Sequence, residues 1–177
     1  MRRVAVAGSF DNFRSQHVRL LEEATRFGEV HVFLWSDEVV RNLEGKPPQF
    51  PEQERAYIVQ SMRYVKDVVT VRSVPTPSSG SWLDGFQADF LISGKDPALT
   101  WQWPGASAPG AIRQVIDDDK LQSFPASIDP PAEDHLAGRR VVVSGCFDWF
   151  HSGHVRFFEE ASGFGRLHVV VGNDANL

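Results

Sequence analysis

The chain has 177 residues, 42% hydrophobic and 23% charged, enough to bury one full domain and part of another. Its net charge of −5 supplies no basic stripe to neutralise a phosphate backbone, so nucleic acid is not the expected partner. The single cysteine, Cys146, excludes an internal disulfide framework, no apolar run approaches the roughly 20 residues that span a bilayer, and Met-Arg-Arg leads straight into a strand-like run; no membrane partner is expected, and a cytoplasmic location is.

The first apolar, β-branched run, 4–7, ends in Gly8 and is predicted as a buried parallel strand entering a tight turn. A helix follows, with Leu20, Leu21, Ala24 and Phe27 at helical spacing and Gly28 expected to close it as a C-cap. A second strand is predicted over 30–34. Strand, glycine turn, helix and strand make a βαβ unit; its right-handed crossover implies an α/β, doubly wound, Rossmann-like parallel sheet with its ligand beyond the carboxyl ends of the strands. The segment LEGKPPQFPEQERAYIVQSMRYV, 43–65, reads as a Pro-marked loop and a helix on which Ile58, Met62 and Val65 share a face with Ala56 and Val59 nearby. A third strand is predicted over 68–71, a loop over 73–81, a fourth strand over 88–93 ending at Gly94-Lys95-Asp96, and a weak strand over 113–116 within the Trp-, Pro- and Gly-rich stretch 97–127. Residues 129–137 read as a solvated linker.

Beyond the linker the chain repeats itself. VAVAGSFDNFRSQHVRLLEEATRFGEVHVF, 4–33, aligns without a gap to VVVSGCFDWFHSGHVRFFEEASGFGRLHVV, 141–170, with about half of the positions identical. The second copy is expected to have strands at 141–143 and 167–171 and a helix bearing Phe157, Phe158, Ala161 and Phe164, with Gly165 as its C-cap. The domain reading is 1–128 for a whole first copy and 138–177 for the N-terminal βαβ of a second. About 40 residues is near the lower limit for folding alone, which points to support from copy one, pairing with another chain as a homodimer, or membership of a longer polypeptide; the last is the expectation.

The repeated turn carries the chemistry. In GCFDWFHSGH, 145–154, Gly145 allows close backbone approach where a strand gives way to a helix N-terminus, a place that favours an anion. His151 and His154 lie three apart across Gly153, so both rings can project to one side of the first turn, where charged imidazoles would suit a polyphosphate. The pattern formed by Gly145, Phe147, Asp148, His151, Gly153, His154, Phe158 and Ala161 resembles the signature of the cytidylyltransferase-like nucleotidyltransferase family. The pattern is similar to that of its glycerol-3-phosphate cytidylyltransferase and heptose adenylyltransferase branches, and the tandem layout resembles that of ethanolamine-phosphate cytidylyltransferase. In copy one the basic-loop segment around Lys46 and Arg55 and the strand end FLISGKDPA with Lys95 resemble further family segments.

The resemblance implies transfer of CMP or AMP from CTP or ATP to a phosphorylated small molecule, with release of pyrophosphate and Mg2+ as companion of the nucleotide. It implies His151 and His154 as catalytic residues and Gly145, Cys146, Phe147, Asp148 and Gly153 as nucleotide-binding ones. Copy one departs from it: Gly8, Ser9, Phe10, Asp11 and His17 are kept, but Arg14 replaces the first histidine and Gln16 the glycine. Gln16 is expected to crowd a point of close ligand approach, while Arg14 can still bind phosphate. The family's late Ser/Thr-rich segment survives only as KLQSFPAS, 120–127, with Lys120 at the family's arginine position. Copy one thus reads as a whole fold with a degenerate site, and copy two as an intact loop on the beginning of a fold.

Competing assignments are simpler. Asp11 and Asp148 are expected to brace the turn rather than bind metal, Cys146 to be a small turn residue, and His31 and His168 to pack within strands. His17, without its partner, can be a ligand or an inherited helix-capping residue. Trp101 and Trp103 can stack on a base or complete a core. Two functions follow: a nucleotidyltransferase served by copy two, or a noncatalytic nucleotide-binding or regulatory module.

Overall fold

In the computed structural model the described residues are 1–73, 83, 85–97, 99–101, 110–124 and 138–172. The chain forms two compact units, Met1–Ala126 and Ser127–Leu177. Unit one is a five-stranded parallel sheet made of β1 (Arg3–Gly8), β2 (Glu29–Trp35), β3 (Val65–Val71), β4 (Phe90–Gly94) and β5 (Ile112–Ile116), in the order β3-β2-β1-β4-β5. Strand order reverses direction between β1 and β4, which are in register from Val4 opposite Phe90 to Val6 opposite Ile92. This topological switch point leaves a crevice at the strands' carboxyl ends.

Helices α1 (Ser15–Thr25), α2 (Asp37–Glu44), α3 (Glu52–Gln60) and α4 (Asp118–Leu121) complete the unit. Because both faces of the central strands are covered, β1 is apolar at every position from Val4 to Ala7 and fully buried there. Val4, Val6, Val30, Val32 and Leu34 pack on one face with Leu20 and Leu21 of α1, Val59 of α3 and Leu121 of α4. Ala5, Ala7, Phe33, Trp35 and Leu91 pack on the other with Val39 and Val40 of α2. The α/β doubly wound reading is what forms.

Several expectations change in detail. α3 ends at Gln60, so Val65 is not on its face but opens β3, and Met62 packs beneath the sheet from the turn between them. Two helices, α2 and α4, were not anticipated; the signal for α2 was present, with Ser36 Oγ accepting from the Val39 N–H, Asp37 and Glu38 in the first turn and Gly45 in the left-handed C-cap position. Gly28 is not the C-cap of α1, which is Arg26 in right-handed helical geometry. Instead Gly28, at φ +156°, brings the backbone against residue 2: a Cβ there would lie 2.2 Å from the Arg2 carbonyl oxygen. Gly165 repeats the close approach, its Cβ position 2.8 Å from the Arg139 oxygen, while Gly163 takes the C-cap.

Unit two holds β6 (Arg140–Gly145), α5 (Ser152–Ser162) and β7 (Arg166–Val171), with β6 and β7 parallel and in register. Its strands correspond to β1 and β2, but Val142, Val170 and Val171, in the second copy's matching strands, stay 54–64% exposed. The linker 129–137, residues 125–127 of the KLQSFPAS segment, residues 74–81 of the proposed loop, and Trp103 lie outside the described residues. Among the described residues no helix is long and apolar enough to cross a membrane.

Candidate functional site

The two copies build the same turn from the same parts. The strand ends in glycine and the next-but-one residue is a phenylalanine with positive φ, 51° at Phe10 and 54° at Phe147, the only such non-glycine residues among those described. Left-handed backbone at a bulky residue costs on the order of 1–3 kcal/mol, and its duplication marks it as part of the turn's design. The phenylalanine folds back over the strand end: a Cβ on Gly145 would meet the Phe147 ring at 2.9 Å. Gly145 therefore makes room for Phe147.

The ring of Phe10 lies 5.5 Å from that of His17, which also stacks on Phe13 at 5.4 Å and 20°. His154 occupies the same setting against Phe147 at 5.5 Å and Phe150 at 5.6 Å. Each histidine is fixed by the backbone of the helix start: Nδ1 of His17 accepts from the Arg14 N–H at 3.0 Å and Nδ1 of His154 from the His151 N–H at 3.3 Å. An Nδ1 that accepts leaves the proton of the neutral ring on Nε2, so each presents an Nε2–H donor. Burial drives the His17 pKa down to about 4, with Arg14 and Asp96 as lesser influences. His17 is thus a neutral donor at pH 7 in the unliganded cleft.

His151 adds a second fixed ring. Its Nδ1 accepts from the Gly153 N–H at 3.0 Å, and its ring centre is 4.1 Å from that of His154. A Cβ on Gly153 would stand 2.8 Å from His151 Cε1 and 3.0 Å from Nδ1. A side chain at 153 would displace the histidine ring that lies on its amide. In copy one that ring is absent, and Gln16 borders the same cleft as Arg14 and His17.

Asp11 braces the turn from the other side, its carboxylate accepting from the Gln49 and Phe50 amides at 2.8 and 2.9 Å. Arg55 lies below, 1% exposed, donating to the Ser9 carbonyl at 2.5 Å, the Phe50 carbonyl at 2.9 Å and Asp37 Oδ1 at 2.7 Å. Its donors hold the loop from beneath, so it positions the site rather than lining it. Lys95 pairs with Asp117 at 2.8 Å on the surface, and Lys120, on α4, has its carbonyl bonded by Arg19. Neither lysine lines the cleft.

The cleft opens at the carboxyl ends of β1 and β4 and has two lobes. One, of about 390 Å³, is polar: Ser9, Asp11, Arg14, Gln16, His17 and Lys46 line it, with Asn12, Gln49, Glu44 and Asp96. The other, of about 330 Å³, is lined by Gly8, Trp35, Leu43, Thr100 and Trp101. Ser9, Glu44, Pro97 and Leu99 border both. Of the sequence-selected residues the structure brings together Gly8, Ser9, Asp11, Arg14, His17 and Lys46. Trp35, Leu43 and Glu44 were not singled out; the signal for Trp35 was its place as the last residue of a buried parallel strand. In unit two Gly145, Cys146, Phe147, Asp148, His151, Gly153 and His154 form the corresponding turn, and Cys146 is exposed.

No group of three His, Cys, Asp or Glu side chains that could hold a metal occurs among the described residues. Asp11, Glu44 and Asp96 are the carboxylates that line the cleft. His31 packs on Phe86 at 4.7 Å, as a strand histidine would.

A doubly wound parallel sheet with a strand-to-helix anion turn at its switch point defines a nucleotide-binding class of α/β protein. The family model described as cytidylyltransferase-like matches residues 5–131, and the chain belongs to that family. It is 41% identical over 68 residues to an FAD synthase from Pyrococcus horikoshii (38% of this chain, 46% of that protein). It is 44% identical over 102 residues to the bifunctional protein HldE of Chromohalobacter salexigens (52% of this chain, 21% of that protein). Among solved structures it resembles a lipopolysaccharide core biosynthesis protein from Thermoplasma volcanium, with a TM-score of 0.48, 25% identity, and coverage of 54% of this chain and 76% of that one. The chain thus spans less than half the length of these first two relatives.

Proposed function

We propose that the protein is a nucleotidyltransferase that moves CMP or AMP from CTP or ATP to a phosphorylated polyol, amino alcohol or sugar. A phosphate oxygen of the acceptor attacks the α-phosphorus of the nucleotide, the bond to the β-phosphate oxygen breaks, and pyrophosphate leaves with the released charge. The observation that carries the reading is the 145–154 turn, where His151 and His154, their Nδ1 atoms held by backbone N–H groups, offer paired Nε2–H donors at a helix N-terminus. Donors fixed in advance where charge grows are the main source of catalysis in such transfers, with positioning of the two polyanions supplying most of the rest. Mg2+ on the nucleotide would neutralise the departing pyrophosphate. Copy one would hold phosphate in a cleft where Arg14 takes the place of the first histidine, beside His17 and Lys46.

The family membership and the FAD synthase and HldE relatives support this reading, and the name of the former favours an adenine nucleotide as one donor to try. A second reading, in which copy one is a noncatalytic nucleotide-binding or regulatory module, is favoured by the changes at Arg14 and Gln16. The test is pyrophosphate release by the purified protein from ATP or CTP across a panel of phosphorylated polyols, amino alcohols, sugars and flavin mononucleotide. No turnover across the panel would refute the enzyme reading. With turnover, His154→Ala is expected to lower kcat by about a hundredfold or more, the scale of one lost transition-state donor. His17→Ala should lower it far less; equal losses would show that both copies take part in one reaction.

A further inference from the structure

Two walls of the cleft in unit one come from distant parts of the chain. The N-terminal end of α1 supplies Arg14, Gln16 and His17, and the segment after β4 supplies Asp96, Pro97 and Leu99. Both walls are tied to the short helix α4. Leu121, 2% exposed, belongs to the same core as Leu20 of α1 and Leu99. A Cβ on Gly94 would lie 3.0 Å from Leu99 Cδ2 and 3.4 Å from Leu121 Cδ1, so these two side chains close around the end of β4. The exposed Lys95–Asp117 pair, at 2.8 Å, adds a weaker link between the same segments.

The link from α1 is Arg19. Residues 16, 19, 20 and 23 share one face of that helix, so the face that meets the cleft at Gln16 continues through Arg19 to Glu23. Arg19 Nε donates to the Lys120 carbonyl at 3.0 Å and to Ser123 Oγ at 3.1 Å. A carbonyl in the last turn of a helix has no partner within it, and Arg19 supplies one. The terminal nitrogens of Arg19 pair with Glu22 and Glu23. Glu23 is 2% exposed, and its Oε1 also pairs with Arg26 at 3.0 Å. With carboxylates on both terminal nitrogens the plane of the guanidinium is fixed, and its Nε is left for α4. The repeat keeps this fork: Arg156, Glu159 and Glu160 stand at the matching positions, while Arg26 gives way to Gly163.

We propose that Arg19 is a positioning residue that sets the gap between the two walls, by holding α1 to α4 and, through α4, to the segment that follows β4. Arg19 itself does not line the cleft and acts through Lys120, Ser123 and Leu121. Its effect on ligands rests on the phosphate-binding reading given above; its effect on the wall after β4 does not.

Two measurements on the whole protein test this, on Arg19→Lys and Ser123→Ala, with Arg26→Met as the control. Arg19→Lys keeps a cation beside Glu22 and Glu23 but loses the planar fork that reaches α4 at the same time. Arg26→Met weakens the pairing of Glu23 without removing a donor to α4. The first measurement is amide hydrogen exchange. The Gly94 N–H, held by Thr100 Oγ1 at 2.9 Å, and the Leu99 N–H, held by the Asp96 carbonyl at 3.0 Å, should exchange about tenfold faster in Arg19→Lys relative to the amides of β1 and β2. The second is calorimetry with pyrophosphate and with ATP, whose Kd should rise about fivefold in Arg19→Lys and about twofold in Ser123→Ala. Arg26→Met should match wild type in both. A purely stabilising role would lower the urea midpoint and leave both the Kd of the folded protein and the relative exchange of Gly94 and Leu99 unmoved. Unmoved exchange in Arg19→Lys, faster exchange with unchanged Kd, or equal losses in Arg26→Met overturn the inference. Should Arg19→Lys fail to fold, Ser123→Ala is read by the same criteria. If wild type binds neither pyrophosphate nor ATP, the phosphate reading falls and the exchange result alone decides the role of Arg19.

Discussion

His17 gives the sharpest test of the site's electrostatics. Its ring is 5% exposed, stacked on Phe13 and bonded through Nδ1 to the Arg14 N–H, and burial lowers its pKa from 6.5 to about 4. A group whose folded pKa is depressed stabilises the fold above its unfolded pKa, and that stability is lost as pH falls toward the folded value. The shift of about 2.5 units corresponds to about 3 kcal/mol, of which about 2 kcal/mol should be gone by pH 5. The perturbation is His17→Gln, whose amide oxygen can still accept from Arg14 but does not titrate. Urea unfolding followed by tryptophan fluorescence, run at intervals from pH 7 to 5 on both proteins, isolates His17, because the other histidines are common to both. Wild type should lose about 2 kcal/mol more than the variant over that range. Parallel curves would refute a buried neutral His17, and with it the argument that it acts as an uncharged Nε2–H donor.

Arg55→Ala should cost about 3–5 kcal/mol in the same unfolding assay, because it removes a buried charge and leaves the Ser9 and Phe50 carbonyls without their donor. Arg55→Lys should recover little of this, since one ammonium cannot span three acceptors; full recovery would refute the bracing role. Gly28→Ala should be more damaging than Gly45→Ala, although both glycines have positive φ. Only Gly28 has backbone within 3 Å of the added carbon, while Gly45 faces nothing within 4 Å and should lose about 1–2 kcal/mol. Equal midpoints for the two variants would show that the approach of Arg2 to Gly28 imposes no cost.

The fold was legible where one local signal decides it. The unbroken apolar run of β1 and the Val- and Phe-rich run of β2, interrupted by His31, pointed to buried strands, and the duplication doubled the information on the turn between strand and helix. α2 is only two turns long and buries just Val39 and Val40, too few apolar residues to show a helical period, although Ser36 and Gly45 mark its ends. The face running from Ile58 through Met62 to Val65 was misjudged because apolar residues in a turn and at a strand start can keep helical spacing by accident; packing under the sheet settled the matter.

For the site, the sequence by itself determined the chemistry of the turn: glycine, phenylalanine, aspartate and histidine at fixed intervals, a whole copy with Arg14 and Gln16, and a second with His151, Gly153 and His154. These are relations within ten residues, which a single turn of backbone brings together. What the tertiary structure alone decided are relations across the sheet. It placed Arg55 beneath the loop and Lys95 outside the cleft, although both lie near family positions, because a cation's partner is chosen by the strands and helices around it. It set Trp101 from the segment after β4 against Trp35 at the end of β2, two residues far apart in sequence that meet because the strands carrying them end on the same side of one sheet. And it showed that Gly153 lies against the ring of His151, a relation that no reading of the motif as letters reveals.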